Sequence, residues 1–521
     1  MTALSRRQFL LTAGSSVAAA SVLAACSSPA PVPPASPTAT VTPTPVGPPV
    51  WAELSQSVKG AVLLPADASY GTAKLTENPR FDDAAPLAIL EASSAADVAA
   101  GLAFATKYGV PVALRSGGHN YVGWSAGGAS GSGVPPSLVL STAALTGVTL
   151  SADGSTVEVG AGASLAEVYN TVGMAGRAIA GGSCATVGVT GLTLGGGVGV
   201  LVRAFGLACD QLTGVEIVTA DGVVHQASAS NDADLFWASQ GGGGGMLGVV
   251  TGLTFATRDA PDVTTWYVEW PWSAAADVIA AWQGWAPSAD NGLWSTLKLL
   301  GGDSHPGQPS VSVSGTWIGS GPLSQQIAPL LNGVNASPTT NQSFHHSYVE
   351  AMMIEAGCQD TPVAECNTGP GGALTREPSS GTSNIGYTAL DASGIADLIA
   401  QVNAAQNVSG MTEGGISMDA LGGVVANIDP AATAFVHRKA LMTVQYTATF
   451  AVGADPAAYD EYVRGFRTTM TNHWQNWAYV NYCDATVPDA QTAYFGANLP
   501  RLTALKAQYD PRGLFTQPQS Y

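Results

Sequence analysis

Two short runs set reactive side chains among glycines. Arg115–Trp124 reads RSGGHNYVGW and Ala180–Leu201 reads AGGSCATVGVTGLTLGGGVGVL, so His119 and Cys184 each stand in a loop nearly bare of other side chains. An imidazole exchanges a proton near neutrality, and a thiol becomes a nucleophile once ionised. Glycines around such groups let backbone N–H groups approach a ligand closely. Three glycine runs stand out: Ser116-Gly117-Gly118, Gly195-Gly196-Gly197-Val198-Gly199 and Gly241–Gly245. Amides in such loops form nests suited to a pyrophosphate. None is followed by Gly-Lys-Ser/Thr, and none is a G-x-G-x-x-G between strand and helix with an acidic residue about 20 positions on. A Walker loop is excluded and a nicotinamide-binding doubly wound domain is disfavoured.

The elements that must hold these loops are legible. Ser94 and Asp97 form an S-x-x-D start, Val98, Leu102 and Ala105 repeat at helical spacing, and Gly109 stops the helix. Pro111–Leu114 then reads as a short buried strand feeding the His119 loop. A strand, a turn at Asp153-Gly154, a second strand and a helix near Leu165–Val172 follow. DQLTGVEIVTADGVVHQAS reads as a hairpin turning at Asp221-Gly222. From Trp266 the pattern changes to alternating strands (TTWYVEWPW, SVSVSGTWIGS, MTVQYTATFAV) with amphipathic helices between them (SAAADVIAAWQGWA, SQQIAPLLNGV, SGIADLIAQVNAA). The expected fold class is α+β, its second domain an antiparallel sheet backed by helices.

At this point the chain resembles the flavin-dependent oxidases with a vanillyl-alcohol-oxidase-type (PCMH-type) FAD domain, in the berberine-bridge-enzyme-like branch. The resemblance rests on VALRSGGHNYVGWSAGG, GGSCATVGVTGLTLGGGVGVLVRAFGLACDQLTGVEIVTADG, ADLFWASQGGGGGMLGVVTGLTF, TAFVHRKALMTVQYTATF and YVNYCDATVPDAQTAYFGANLPRLTALKAQYDPRGLFTQPQS. It implies a two-subdomain FAD-binding domain over 51–260, a substrate-binding domain over 261–470 and a berberine-like segment over 471–521 that returns to the FAD domain. It further implies FAD bound at two points, through Nδ1 of His119 and the sulfur of Cys184. Gly117, Gly118, Gly181 and Gly182 are expected to clear room for the flavin ring. The cofactor set implied is Arg115, Ser116, Gly117, Gly118, His119, Asn120, Tyr121, Gly182, Cys184, Thr186, Val187, Gly188, Gly191, Gly195, Gly196, Gly197, Val249 and Asn481.

For catalysis the family's Tyr-x-Asn-Tyr block maps onto Tyr479-Val480-Asn481-Tyr482. Tyr479 is the expected general base, with Tyr482 a neighbouring substrate or flavin contact. Asp419 is the candidate substrate contact, and the small Val187 implies access of dioxygen to the cofactor. Leu421 stands where relatives often carry Tyr, and Met246-Leu247 replaces a usual Asn-Phe, so substrate identity does not carry over. His345-His346 and His437 make no metal set, and no metal is expected.

The net charge of −18 and the 11% charged residues disfavour nucleic acid as a partner. A small-molecule substrate and dioxygen are the expected partners. Residues 1–26 read as an export signal: Ser5-Arg6-Arg7-Gln8-Phe9-Leu10 is a twin-arginine pattern, and Leu23-Ala24-Ala25-Cys26 resembles a bacterial lipobox. An ordinary signal peptide cut nearby is the plainer alternative; with a lipid at Cys26 the protein would be a cell-surface lipoprotein, otherwise secreted. Residues 27–50 hold nine prolines and read as an extended tether. An exported setting permits a disulfide between Cys358 and Cys366, while Cys209 and Cys483 read as buried small residues. Two other readings compete with an oxidase: a dehydrogenase or oxidative cyclase of the same fold, and a substrate-binding lipoprotein without flavin.

Overall fold

The His119 loop leaves the end of a parallel strand pair, and that placement organises the first part of the chain. The computed structural model describes residues 47–521; the twin-arginine segment, Cys26 and nearly all of the proline-rich tether lie outside them. Strands β1 (Ala61–Leu63), β2 (Ala88–Glu91), β3 (Val112–Arg115) and β4 (Leu138–Ser141) form a sheet in the order β1-β2-β4-β3. Helix α1 (Ala95–Tyr108) crosses it, capped by the Ser94 hydroxyl, which accepts from the Asp97 N–H at 3.2 Å, and ended by Gly109 at φ 64°. Asp97 does not complete a capping box. Its carboxylate instead accepts from the backbone N–H groups of Lys59, Gly60 and Ser93, tying the N-terminal strand to the helix.

A second sheet holds β5 (Val148–Leu150), β6 (Thr156–Gly160), β7 (Leu212–Val218), β8 (Val224–Ala227) and β9 (Val249–Ala256) in the order β5-β6-β9-β7-β8. Helix α2 (Leu165–Met174) begins with a full Ser164–Glu167 capping box. The short helix α3 (Val189–Leu194) follows the Cys184 loop.

The third sheet is antiparallel and seven-stranded: β10 (Val263–Trp270), β11 (Leu293–Gly301), β12 (Ser310–Trp317), β13 (Thr340–His346), β14 (Ser379–Gly386), β15 (Met411–Ala420) and β16 (Met442–Phe450), ordered β13-β10-β12-β11-β15-β16-β14. Period-two alternation divides its faces. Leu297, Leu299, Ile416, Met418, Val444 and Tyr446 join one core with helices α4 (Ala275–Trp285), α5 (Leu323–Gly333), α7 (Ala392–Ala404) and α8 (Ala457–Trp474). The intervening residues are polar and register across the strands. Ser314, Thr296, Asp419 and Thr443 make one rank; Ser312, Lys298, Ser417 and Gln445 make the next. Helix α6 (Tyr348–Glu355) packs on α2, and helix α9 (Leu499–Tyr509) lies in the C-terminal segment. No described helix is long and apolar enough to cross a membrane.

Candidate active site

The polar face of the third sheet and the glycine loops of the first part enclose one cavity of about 410 Å³. Both expected reactive residues reach it. The His119 loop and the Cys184 loop meet backbone on backbone: a Cβ on Gly117 would strike the Gly188 amide, and one on Gly188 would strike Gly117 and the Ser116 hydroxyl. Ser116 and Thr190 hydroxyls both donate to the Ala161 carbonyl, at 2.7 and 2.9 Å. The Cys184 loop also caps α2, since the amides of Leu165 and Ala166 donate to the carbonyls of Val187 and Ala185. An otherwise unsatisfied helix N-terminus thus fixes the thiol's loop.

Cys184 is exposed, but what it exposes is cavity wall, so surrounding protein still desolvates it and pushes its pKa up. Burial lowers His119 to about 4 and leaves a neutral imidazole. Its Nε2 lies 2.8 Å from the Thr186 hydroxyl and 3.8 Å from the Glu77 carboxylate. Among the described residues its Nδ1 has no hydrogen-bond partner.

Most of the expected cofactor set lines the cavity: Arg115, Ser116, Gly117, Gly118, His119, Asn120, Tyr121, Gly182, Cys184, Val187, Gly188, Gly191, Val249 and Asn481. Thr186 does not; it stands behind His119. The Arg115 guanidinium turns away and donates to the carbonyls of Ala73 and Lys74.

The expectation fails for Gly195, Gly196 and Gly197, which lie outside the cavity wall. They are glycines because protein fills the space beside them: the Asn481 amide against Gly195, Phe435 against Gly196 and Ala208 against Gly197. The same correction applies to the clearing role given to Gly117, Gly118, Gly181 and Gly182. Their Cβ positions point at Gly188, Thr76, Tyr169 and Leu192 respectively. Clear space lies instead beside Gly191, where a Cβ would meet nothing within 4 Å, and beside Gly244, where the nearest atom is 3.8 Å away, on Gly191 itself.

The two tyrosines are placed the other way round from the expectation. Tyr479 is 2% exposed and is not part of the wall; its hydroxyl accepts from the Gly197 and Val198 amides at 2.9 and 3.4 Å and from the Asn481 amide at 2.9 Å. A phenol oxygen so occupied holds the Gly195–Gly197 turn and cannot meet a substrate. Tyr482 does face the cavity, stacked on Tyr121 with ring centroids 5.4 Å apart. Gln445 donates to the Tyr121 hydroxyl from the sheet side. Asp419 also lines the cavity, and burial raises its pKa. Sequence reasoning missed Thr296, Lys298, Ser314, Glu355, Ser417 and Gln445, all of which line the wall.

His437 is buried, its ring between the Tyr387 hydroxyl and the Tyr494 carbonyl. His345 and His346 lie on edge strand β13. Cys358 and Cys366 form a disulfide, with Cα atoms 5.9 Å apart. That pair packs with Ala185, the neighbour of Cys184. Cys209 and Cys483 are buried.

FAD fits these residues. Gly191 and Gly244 leave a slot that any side chain would fill, backbone amides of several glycine-rich turns line it, and the buried Ser125 hydroxyl on its wall has no protein partner.

Comparison with known proteins agrees. The FAD binding domain family matches residues 86–228, and the family described as berberine and berberine like matches residues 478–520. The FAD-linked oxidoreductase YgaK of Bacillus subtilis is 29% identical over 88% of this chain and 96% of its own. The chitooligosaccharide oxidase of Gibberella zeae is 28% identical, over 84% of this chain and 87% of its own. Among solved structures, the Physcomitrella patens BBE-like 1 protein superposes with a TM-score of 0.80 at 26% identity, over 90% of this chain and 97% of that one. The fold and both sequence blocks agree: the chain is similar, over nine tenths of its length, to the berberine-bridge-enzyme-like FAD-linked oxidoreductases.

Proposed function

We propose that this FAD-linked oxidoreductase oxidises a hydroxyl group of a carbohydrate, with FAD tethered at His119 and Cys184 and dioxygen as the acceptor that yields hydrogen peroxide. FAD, when bound, supplies the hydride acceptor. The observation that carries the reading is the position of Tyr482, which faces the same cavity as His119, Cys184 and the polar ranks of the sheet.

A hydroxyl group gives up a hydride only as its proton leaves, so a base must stand beside it. Burial raises the Tyr482 pKa well above the ordinary tyrosine value, so the resting group is a neutral phenol. It takes the substrate proton by handing its own on. Asp419, on the wall of the same cavity and itself made more basic by burial, is the carboxylate that receives that proton in this reading. Tyr121, held by Gln445, keeps the Tyr482 ring in place from the other side.

Ser314, Thr296, Lys298, Ser417 and Gln445 offer a field of donors and acceptors on the opposite wall, matched to a polyol. Xylooligosaccharide and chitooligosaccharide oxidases among the relatives support that class. The small Val187 on the wall supports access of dioxygen.

The test is anaerobic mixing of the full chain with a panel of neutral oligosaccharides. Bleaching of the visible flavin band, with colour and peroxide returning in air, is expected for at least one. No bleaching with any sugar would remove the carbohydrate reading. A reduced protein that stays bleached in air would mark a dehydrogenase.

A further inference from the structure

Behind His119 lies a set of groups that the oxidation of substrate does not use. Nε2 of His119 is 2.8 Å from the Thr186 hydroxyl, and the Glu77 carboxylate lies 3.8 Å from the same nitrogen. Thr368 donates at 3.2 Å to Oε2 of that carboxylate, the same oxygen that faces His119. Thr368 lies two residues beyond Cys366, one end of the disulfide. Arg376 steadies the same corner through the Thr76 carbonyl, at 2.8 Å. Glu77 and His119 are each about three-quarters buried. A carboxylate placed there without a salt-bridged lysine or arginine needs a reason.

We propose that Thr186 and Glu77 are positioning residues for the attachment of FAD to His119: they hold the imidazole proton on Nε2, leave Nδ1 as the bare lone pair on the cavity side, and take up the Nε2 proton when Nδ1 forms its bond. This rests on the two-point tether proposed above. The step balances. Nδ1 bonds to the carbon of the flavin 8α-methyl group, and that carbon gives up one proton. The imidazole gives up the Nε2 proton through the Thr186 hydroxyl to Glu77. The electron pair left behind stays in the flavin ring, which passes two electrons and two protons to dioxygen as hydrogen peroxide.

The surroundings are those such a relay requires. His119 is neutral at ordinary pH, because burial lowers it to about 4, so its ring holds one proton to be placed on one nitrogen or the other. Burial also raises the Glu77 pKa, against the opposing pull of Thr368, Arg376 and Thr186, which makes the carboxylate a better proton acceptor. A Thr186 hydroxyl accepting from Nε2 and donating towards Glu77 satisfies all three groups.

The experiment uses the full chain carrying Cys184→Ala, so that His119 is the only tether. Flavin is measured twice: per folded protein from its visible spectrum, and per polypeptide after acid precipitation, with the His119 peptide weighed by mass spectrometry. Into this parent are placed Thr186→Val, Thr186→Ser and Glu77→Gln. The expected result is full flavin content in the folded state for every variant. After equal times with FAD, the covalent yield should fall at least tenfold in Thr186→Val and Glu77→Gln and return in Thr186→Ser. Covalent yields equal to the parent's in both variants would overturn the proposal. So would a parallel loss of bound and covalent flavin, which would make the two residues structural supports only. An unmodified His119 peptide in the parent itself would instead overturn the tether at His119, a separate failure that this control identifies before the variants are read.

Discussion

Tyr482 lies on Tyr121 with ring planes 16° apart, while Tyr479 meets Tyr482 edge-on, with centroids 5.0 Å apart. One tyrosine of the Tyr-x-Asn-Tyr block therefore sits above the other, and the upper one alone borders the cavity. Tyr482→Phe should keep the fold and the flavin and slow anaerobic reduction by substrate by roughly 100- to 10,000-fold, the usual worth of a general base. Tyr479→Phe should leave the Gly197 and Val198 amides without their acceptor and cost about 1–3 kcal/mol of stability. Stopped-flow bleaching and a thermal melt on each variant separate the two. Equal rate loss in both would return Tyr479 to the chemistry.

The glycines divide in the same way. Gly191 lies in helix α3 beside open space, so Gly191→Ala should stabilise the helix by about 0.5–1 kcal/mol through propensity alone. The added methyl enters the flavin slot, and the protein should emerge more thermostable but short of FAD. Gly195→Ala drives a methyl into the Asn481 amide and should lower the melting temperature. A flavin-replete Gly191→Ala protein would show that the slot beside it is not the one FAD uses.

Much of this was legible in order of locality. The cap at Ser94, the hairpin at Asp221-Gly222 and the alternation of β10, β12 and β16 depend on residues within a few positions of one another. Which glycine faces a ligand and which faces protein depends on segments that meet from far apart, as Gly195 meets Asn481 across the whole molecule. The polar wall of the cavity was missed for a related reason. Thr296, Lys298, Ser417 and Gln445 alternate with apolar residues as any solvent-facing side of a strand would. Only tertiary packing turns that side towards a cavity. Which of Tyr479 and Tyr482 borders the cavity was illegible because the residues are three apart and chemically identical. Their division of labour is set by a backbone turn, Gly197–Val198, contributed from elsewhere in the chain.

Acid sensitivity should have an identifiable source in His437. Its ring is 1% exposed, with Nε2 donating to the Tyr494 carbonyl at 3.0 Å and Nδ1 accepting from the Tyr387 hydroxyl at 2.9 Å. Burial lowers its pKa to about 4. In the unfolded chain an ordinary histidine takes up a proton at about 6.5. The unfolded state therefore binds more protons between those values, and stability falls as pH drops from about 6.5 towards 4. The lowering corresponds to about 3 kcal/mol once the lower value is passed. His437→Gln should flatten this part of the stability–pH curve even if it lowers the plateau at neutral pH. Denaturant melts at pH 7 and pH 4.5 decide it, since an unchanged difference would place the acid sensitivity in other groups.

Reduction of Cys358–Cys366 should be felt at the flavin site as well as in the melt. The bridge closes a loop with a sequence separation of 8, for which chain entropy gives about 2–3 kcal/mol. Beyond that, Met353, Ala356 and the two cysteines pack on Ala185 and Ala166, so the loop braces the turn that carries Cys184. The double variant Cys358→Ser, Cys366→Ser should melt several degrees lower, and its melt should no longer respond to reductant, whereas the parent's should. Its Cys184 should also react faster with a thiol reagent in the FAD-free protein, because the loop that encloses it has lost its brace. An unchanged rate at Cys184 beside a lowered melting temperature would confine the disulfide to global stability and separate it from the site.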